Sequence, residues 1–207
     1  MMFIELFVPE GTLDPERLRR LAERLGTVAE LTEGEKIYEG WEQVLGSLFQ
    51  VVVHEPRVWV VDQHALGADA APRYMVRFHV PGPWRKAMSG AVVAYATKVI
   101  SEVEADSGRP YREPVVQVQV MGVTEGSMGV FGKAVGSEGI VEMMSDPYRE
   151  DLAQGRAARD PLCGVIVPLN DDTVTLEWEG TLHAFCCSDC REEFLRKQRK
   201  REEKAPA

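Results

Sequence analysis

A repeat constrains this chain more than any other feature. Residues 3–11, FIELFVPEG, are echoed at 74–82 by YMVRFHVPG, and HEPRVWVV at 54–61 is echoed by REPVVQVQV at 112–120. The first pair reads as short apolar strands that run into Val-Pro. In the second pair, Glu-Pro opens a further strand. A helical stretch lies between the two strands of each copy. In the first copy Asp14 is placed to cap, Pro15 suits the first helical position, and Leu18, Leu21, Ala22 and Leu25 share one face. In the second copy Met88, Val92, Tyr95 and Val99 form the matching stripe. The strand VVQVQV alternates valine with glutamine, so one sheet face is buried and the other wet. The pattern predicts an α+β chain with two tandem β-α-β units, about 1–62 and 73–145, each with parallel strands joined by a crossover helix.

The remaining segments read as additions to that frame. TEGEKIYEGWEQVLGSLFQ (32–50) is an insertion in the first copy, and its Tyr38, Trp41, Val44, Leu45 and Leu48 predict a further short helix. DQHALGADAAP (62–72) reads as the linker between copies. EGSMGVFGKAVGSEG (125–139) suits a tight hairpin or an arm lying against other backbone, and DPYREDLAQGRAARD (146–160) a short helix and linker. The expected organisation is therefore 1–150, a linker at 151–159, a small module at 160–200 and a disordered tail at 201–207.

A net charge of −9 argues against a nucleic-acid-binding body and against docking on anionic membranes. The basic run in RKQRKREEKAPA (196–207) meets Glu202 and Glu203 at once, which fits a solvated helix end. No apolar run approaches the roughly 20 residues that span a bilayer, and MMFIELFVPEG lacks the features of a signal peptide. The expectation is a cytoplasmic protein. In that reducing compartment clustered cysteines point to metal or redox chemistry rather than to structural disulfides.

All four cysteines fall in the last 45 residues of the chain. Cys163 is followed after 22 residues by Cys186 and after three more by Cys190. Thiolates are soft, strong ligands, and three of them suit one transition-metal ion: zinc first, with Cu(I) or iron as alternatives. CREEFLRKQRKR (190–201) supplies a helix with Cys190 in its first turn, where the positive end of the dipole favours a thiolate. Before it, TVTLEWEGTLHAF (173–185) alternates Val174, Leu176 and Trp178, turns at Gly180 and returns as a second short strand. Such a β-hairpin–helix module is too small for a strong core, a setting in which metal supplies folding energy. Cys187, His183, Asp160 and Asp189 are the fourth-ligand candidates.

Two resemblances follow. FIELFVPEGTLDPERLRRLAERL, VPGPWRKAMS and GVTEGSMGVFGK resemble the tautomerase superfamily, in the fused two-unit form of cis-3-chloroacrylic acid dehalogenase and of 4-oxalocrotonate tautomerase relatives. Over about residues 1–150 this implies a four-stranded sheet with helices on one face, and a homo-oligomer of three chains. It also implies catalysis by an N-terminal proline amine, but here Met2 stands at that position and leaves only the α-amine of Met1. Arg85 stands where the family places an arginine that grips a substrate carboxylate, so the resemblance implies a small carboxylate-like ligand there. Thr12 is the first copy's counterpart, and His54 and His79 read as structural strand residues. Residues 160–200 resemble the YHS or TRASH type of metal-binding module through DPLCG, the Gly180 turn, Phe185-Cys186, Ser188 beside Cys190, and Phe194. Carried over, the ligands are Cys163, Cys186 and Cys190. Together the resemblances imply a tautomerase-like protein without its catalytic proline that binds a small molecule or responds to metal. The alternative is an active isomerase or lyase on enol or unsaturated acids that works through the N-terminal amine.

Overall fold

A computed structural model describes residues 2–27, 38–67 and 69–202. Met1, residues 28–37 with the first third of the insertion, residue 68 and the end of the tail (203–207) lie outside the described residues. The chain divides into two compact units, Met1–Gly34 with Leu45–Ser137, and Glu35–Val44 with Glu138–Ala207.

The first unit is a four-stranded sheet in the order β2-β1-β5-β6, built from β1 (Met2–Phe7), β2 (Phe49–His54), β5 (Tyr74–Pro81) and β6 (Val116–Val123). Strands β1 and β2 run parallel from Met2↔Phe49 to Phe7↔His54, and β5 and β6 run parallel from Tyr74↔Val116 to Pro81↔Val123. An antiparallel β1–β5 pair, Phe3↔His79 through Phe7↔Met75, joins the two β-α-β units back to back. The crossover helices are α1 (Pro15–Leu25) and α3 (Arg85–Val103). Asp14 caps α1 by accepting N–H bonds from Glu16 and Arg17, with Pro15 in the first turn, as its sequence predicts.

Alternate strand residues make the core: Ile4, Leu6 and Val8 of the first copy and Tyr74, Val76, Phe78 and Val80 of the second. They pack with Leu18, Leu21 and Leu25 of α1 and Val92, Tyr95, Val99 and Ile100 of α3. Both helices thus serve one buried sheet face. The residues between these on β1, β2 and β5, among them Glu5, His54, Arg77 and His79, belong to the other face. There Glu5 accepts a 2.9 Å hydrogen bond from His79 and lies 3.4 Å from His54, Phe7 stacks on His54, and the Arg77 guanidinium sits over Phe7.

The bond from His79 holds the Glu5 carboxyl below the usual carboxylate range, partial burial opposing and the positive charge around it adding. A lowered folded-state pKa contributes stability above the unfolded value of about 4.3, and that contribution is lost as pH falls through the folded value. Glu5→Gln is therefore expected to cost about 1 kcal/mol at pH values above about 5. Denaturation curves of variant and wild type should converge well below about pH 4.

Two expectations need correction. The second strand of the first copy is Phe49–His54, which precedes Glu55-Pro56 instead of following it. Phe49, Val51 and Val53 pack against the core, whereas Val58 and Val60 are exposed and the Pro56 nitrogen carries no hydrogen to extend the ladder. The Glu-Pro echo is thus not a structural one. The stretch 62–72 is not all linker: β3 (Val60–Val61) and β4 (His64–Ala65) form a small hairpin whose turn residues Asp62 and Gln63 both have positive φ. It matches the hairpin of β7 (Met128–Val130) and β8 (Lys133–Val135) after the second copy, where Phe131 and Gly132 make the same kind of turn. Each copy is therefore a β-α-β unit followed by a hairpin.

Helix α2 (Glu39–Leu48) realises the helix expected in the insertion. Its first half is counted with the second unit, where Tyr38 packs edge-on against Trp41 (centroids 4.7 Å) and against Tyr148 (6.4 Å). The Gly40 N–H donates to the Tyr148 hydroxyl at 3.1 Å, and a Cβ at position 40 would come within 2.8 Å of Pro147.

The rest of the second unit comprises α5 (Ser137–Ser145, Ser137 itself falling in the first unit), α6 (Arg149–Ala153), β9 (Ala157–Arg159) paired with β10 (Ile166–Pro168), β11 (Val174–Trp178) paired with β12 (Thr181–Phe185), and α7 (Ser188–Glu202). Helix α4 (Arg109–Arg112) belongs to the first unit. The second unit's buried apolar residues include Ile140, Val165, Ile166, Val167, Ala184, Phe185 and Phe194. Glu179 and Gly180, both at positive φ, form the predicted turn between β11 and β12. Among the described residues no helix is long and apolar enough to cross a membrane.

Candidate metal centre

Strands β9 and β10 are joined by the loop Asp160–Val165, which carries the first thiol. Asp160 N–H donates to the Val165 carbonyl and Gly164 N–H to the Asp160 carbonyl, each at 2.9 Å, closing the loop tightly. Gly164 stands at φ +81°, a conformation in which a side chain would be strained. Inside the loop one Asp160 carboxylate oxygen accepts the N–H groups of Leu162 (2.7 Å) and Cys163 (3.2 Å). Its other oxygen accepts the N–H of Cys186 at 2.8 Å, at the end of β12. A single carboxylate, 1 % exposed, therefore ties the loop that bears Cys163 to the knuckle that bears the other thiols.

That knuckle leads into α7. Cys187 sits just before the helix, its carbonyl accepting the N–H of Arg191 and its sulfur the N–H groups of Asp189 and Cys190. This is the N-cap arrangement, with sulfur in place of the usual oxygen. Cys190 follows in the first turn.

The sulfurs converge on Cys186. Its Sγ lies 3.7 Å from Cys163, 3.4 Å from Cys190 and 3.5 Å from Cys187. One ligand atom each from Asp160, Cys163, Cys186 and Cys190 all fall within 4.8 Å of one another. Four ligands at about 2.3 Å around a tetrahedral ion stand about 3.8 Å apart, close to the observed sulfur spacings. The donor set, three thiols and a carboxylate, is one that zinc and softer ions accept, so the residues present fit a metal. Among the described residues no second group of this kind occurs.

Burial pushes the Asp160 carboxyl above its ordinary range, the neighbouring Cys163 adding to this and the three N–H donors opposing it. Within the thiol cluster, hydrogen bonds from Cys186 and Cys190 pull Cys163 and Cys187 down. Cys186 and Cys190 are pushed up, first by their bonds to Cys163.

Of the fourth-ligand candidates, Asp160 joins Cys163, Cys186 and Cys190, while Cys187 and His183 stand outside that mutually close set. The His183 ring, on β12, packs 5.2 Å from Phe194. What sequence reading missed is the bracing by Asp160 and the capping by Cys187. Only the local part had a signal: Asp-Pro-X-Cys is a side-chain-capped turn, whereas the tie from Asp160 to Cys186 and a cysteine cap have none.

The positions suggested in the first unit are more dispersed. Arg85 opens α3 and lines an open depression of about 360 Å³ with Lys86, Ser89, Val93, Val118 and Val120. Thr12 is engaged locally, its hydroxyl donating to the Pro9 carbonyl at 2.8 Å. Met2 begins β1, and Met1, whose amine is the group in question, lies outside the described residues.

No protein-family model and no curated protein matches this chain. Among solved structures it is similar to N1, a member of the cis-3-chloroacrylic acid dehalogenase family, at 14 % identity over 73 % of this chain and 99 % of that one, with a TM-score of 0.48. It is similar to Pt0534 inactivated by 2-oxo-3-pentynoate, at 16 % identity over 66 % of this chain and 96 % of that one, with a TM-score of 0.47. It is also similar to the asymmetric trimer of R7 fused 4-OT, at 14 % identity over 64 % of this chain and 94 % of that one, with a TM-score of 0.46.

Proposed function

We propose that this protein is a thiolate metal-binding protein carried on a tautomerase-like core. In this reading Cys163, Cys186 and Cys190, with Asp160 as fourth donor, hold one transition-metal ion, zinc in the first instance. The observation that supports it best is the convergence of those four ligand atoms within 4.8 Å of one another. Three thiols and a carboxylate brought together from separate loops would repel as they ionise, and a cation relieves that repulsion. The chain's own part is to preset the site: Asp160 fixes the Cys163 loop against Cys186, and the start of α7 directs its dipole at the sulfurs. Elemental analysis of the purified full-length protein tests the reading. One equivalent of metal that withstands gel filtration supports it, and metal-free protein whose thermal stability zinc does not alter removes it.

The first unit would supply assembly and a ligand pocket. We take it to form a homotrimer, with the Phe131 hairpin, whose tip is 82 % exposed, as an arm reaching another copy. The Arg85 depression combines two cationic side chains with a valine-lined wall and would accept a small carboxylate. Arg85→Ala is expected to weaken binding of such acids about tenfold or more by calorimetry, with the metal content unchanged.

A further inference from the structure

The site just proposed uses three of the four thiols, and the fourth lies too close to leave out. Cys186 Sγ is 3.7, 3.4 and 3.5 Å from the sulfurs of Cys163, Cys190 and Cys187 respectively. Cys190 in turn lies within 4.8 Å of Cys163, and its thiol also acts on that of Cys187. The four sulfurs therefore gather around Cys186, whose shortest contact is the one to Cys190. Cys163 has Asp160 beside it. Cys187 stands 3.5 Å from Cys186 at the start of α7, with the first N–H groups of that helix acting on its sulfur.

We propose that this arrangement is a two-ion thiolate centre for soft monovalent metal, Cu(I) in class, in which Cys186 and Cys190 bridge two ions while Cys163 and Cys187 each complete one of them. The proposal rests on the metal-site reading above and extends it. Ligand counting separates the two classes of ion. Two three-coordinate soft ions need six metal–sulfur bonds, and four sulfurs supply six when two of them bridge. Two tetrahedral zinc ions sharing an edge need six donor groups, and the cluster offers four thiols and one carboxylate. The same residues should thus take one Zn(II) but two Cu(I). Four thiolates around two monovalent ions keep a negative excess, and the N-terminus of α7, fifteen residues long, lies where it offsets that charge.

The test is an anaerobic titration of the metal-free, full-length protein with Cu(I) in the presence of a competing Cu(I) chelator, read by native mass spectrometry, with a parallel Zn(II) titration. Cys187→Ser is the discriminating variant, because serine keeps the helix cap while removing the soft donor. Cys187→Asn, another good cap, serves if the serine protein is poorly folded by circular dichroism. The expected result is two Cu(I) in wild type, one in the Cys187 variant and one Zn(II) in both. Wild type retaining a single Cu(I), or a Cys187 variant still retaining two, overturns the shared-edge centre while one bound Zn(II) leaves the single-ion site standing. Failure to bind either metal overturns both.

Discussion

Cys186→Ser should abolish metal retention, the largest functional effect expected of any single substitution in this chain. Cys186 is the sulfur on which the other three converge, at 3.4–3.7 Å, and its backbone N–H is the one that Asp160 holds. A serine hydroxyl is hard and does not ionise near neutral pH, so the substitution leaves the backbone tie intact and removes only the ligand. Loss of an outer-shell partner typically costs about 10–100-fold in metal affinity, and loss of a first-shell thiolate should exceed that. The stability readout follows by linkage: a metal at 100 times its Kd stabilises the folded state by about 2.7 kcal/mol. Scanning calorimetry of the wild type should therefore show a transition that falls when a chelator is added. The variant should show no response to chelator or to added zinc. A variant that kept a full equivalent of metal would exclude Cys186 as a ligand.

Asp160→Ala carries the second large effect, and it should appear without any metal. The buried carboxylate accepts three backbone N–H groups, from Leu162, Cys163 and Cys186. Hydrogen bonds to a charged acceptor contribute about 1.5–3 kcal/mol each. Removing the group also relieves the desolvation that pushes its carboxyl pKa up, so the three contributions do not add in full. A net loss of about 3 kcal/mol is expected in urea unfolding of the metal-free protein, followed through the transition that metal shifts in the loaded form. Asp160→Asn should fall between wild type and alanine, because an amide offers an acceptor on one side only. If metal-free wild type and Asp160→Ala unfold alike, Asp160 does not brace the site and acts only as a donor to the ion.

How far the fold could be read in advance followed from how local its causes are. Helices α1 and α3 and strand β6 were legible because Leu18, Leu21 and Leu25, the Val92–Val99 stripe and the Val-Gln alternation each record one buried face in a short window. The start of β2 was not. Two adjacent apolar stretches, FQVVVH and VWVV, both suit a strand, and only the register against β1 decides between them. Nor could sequence show that Tyr38 of the insertion packs with Tyr148, over 100 residues away, because no periodicity reports a long-range partner. At the candidate metal centre the spacing of Cys163, Cys186 and Cys190 marked the sulfurs that the fold brings together. The Asp160 brace was hidden because its third hydrogen bond, to Cys186, crosses 26 residues. Cys187 was hidden because a cysteine is not an expected helix cap.

X-ray absorption at the zinc edge of the full-length protein, loaded with one equivalent, bears most directly on the central claim that Cys163, Cys186, Cys190 and Asp160 share one ion. The account predicts three sulfur scatterers at about 2.3 Å and one oxygen at about 2.0–2.2 Å. A first shell of oxygen and nitrogen alone would contradict it.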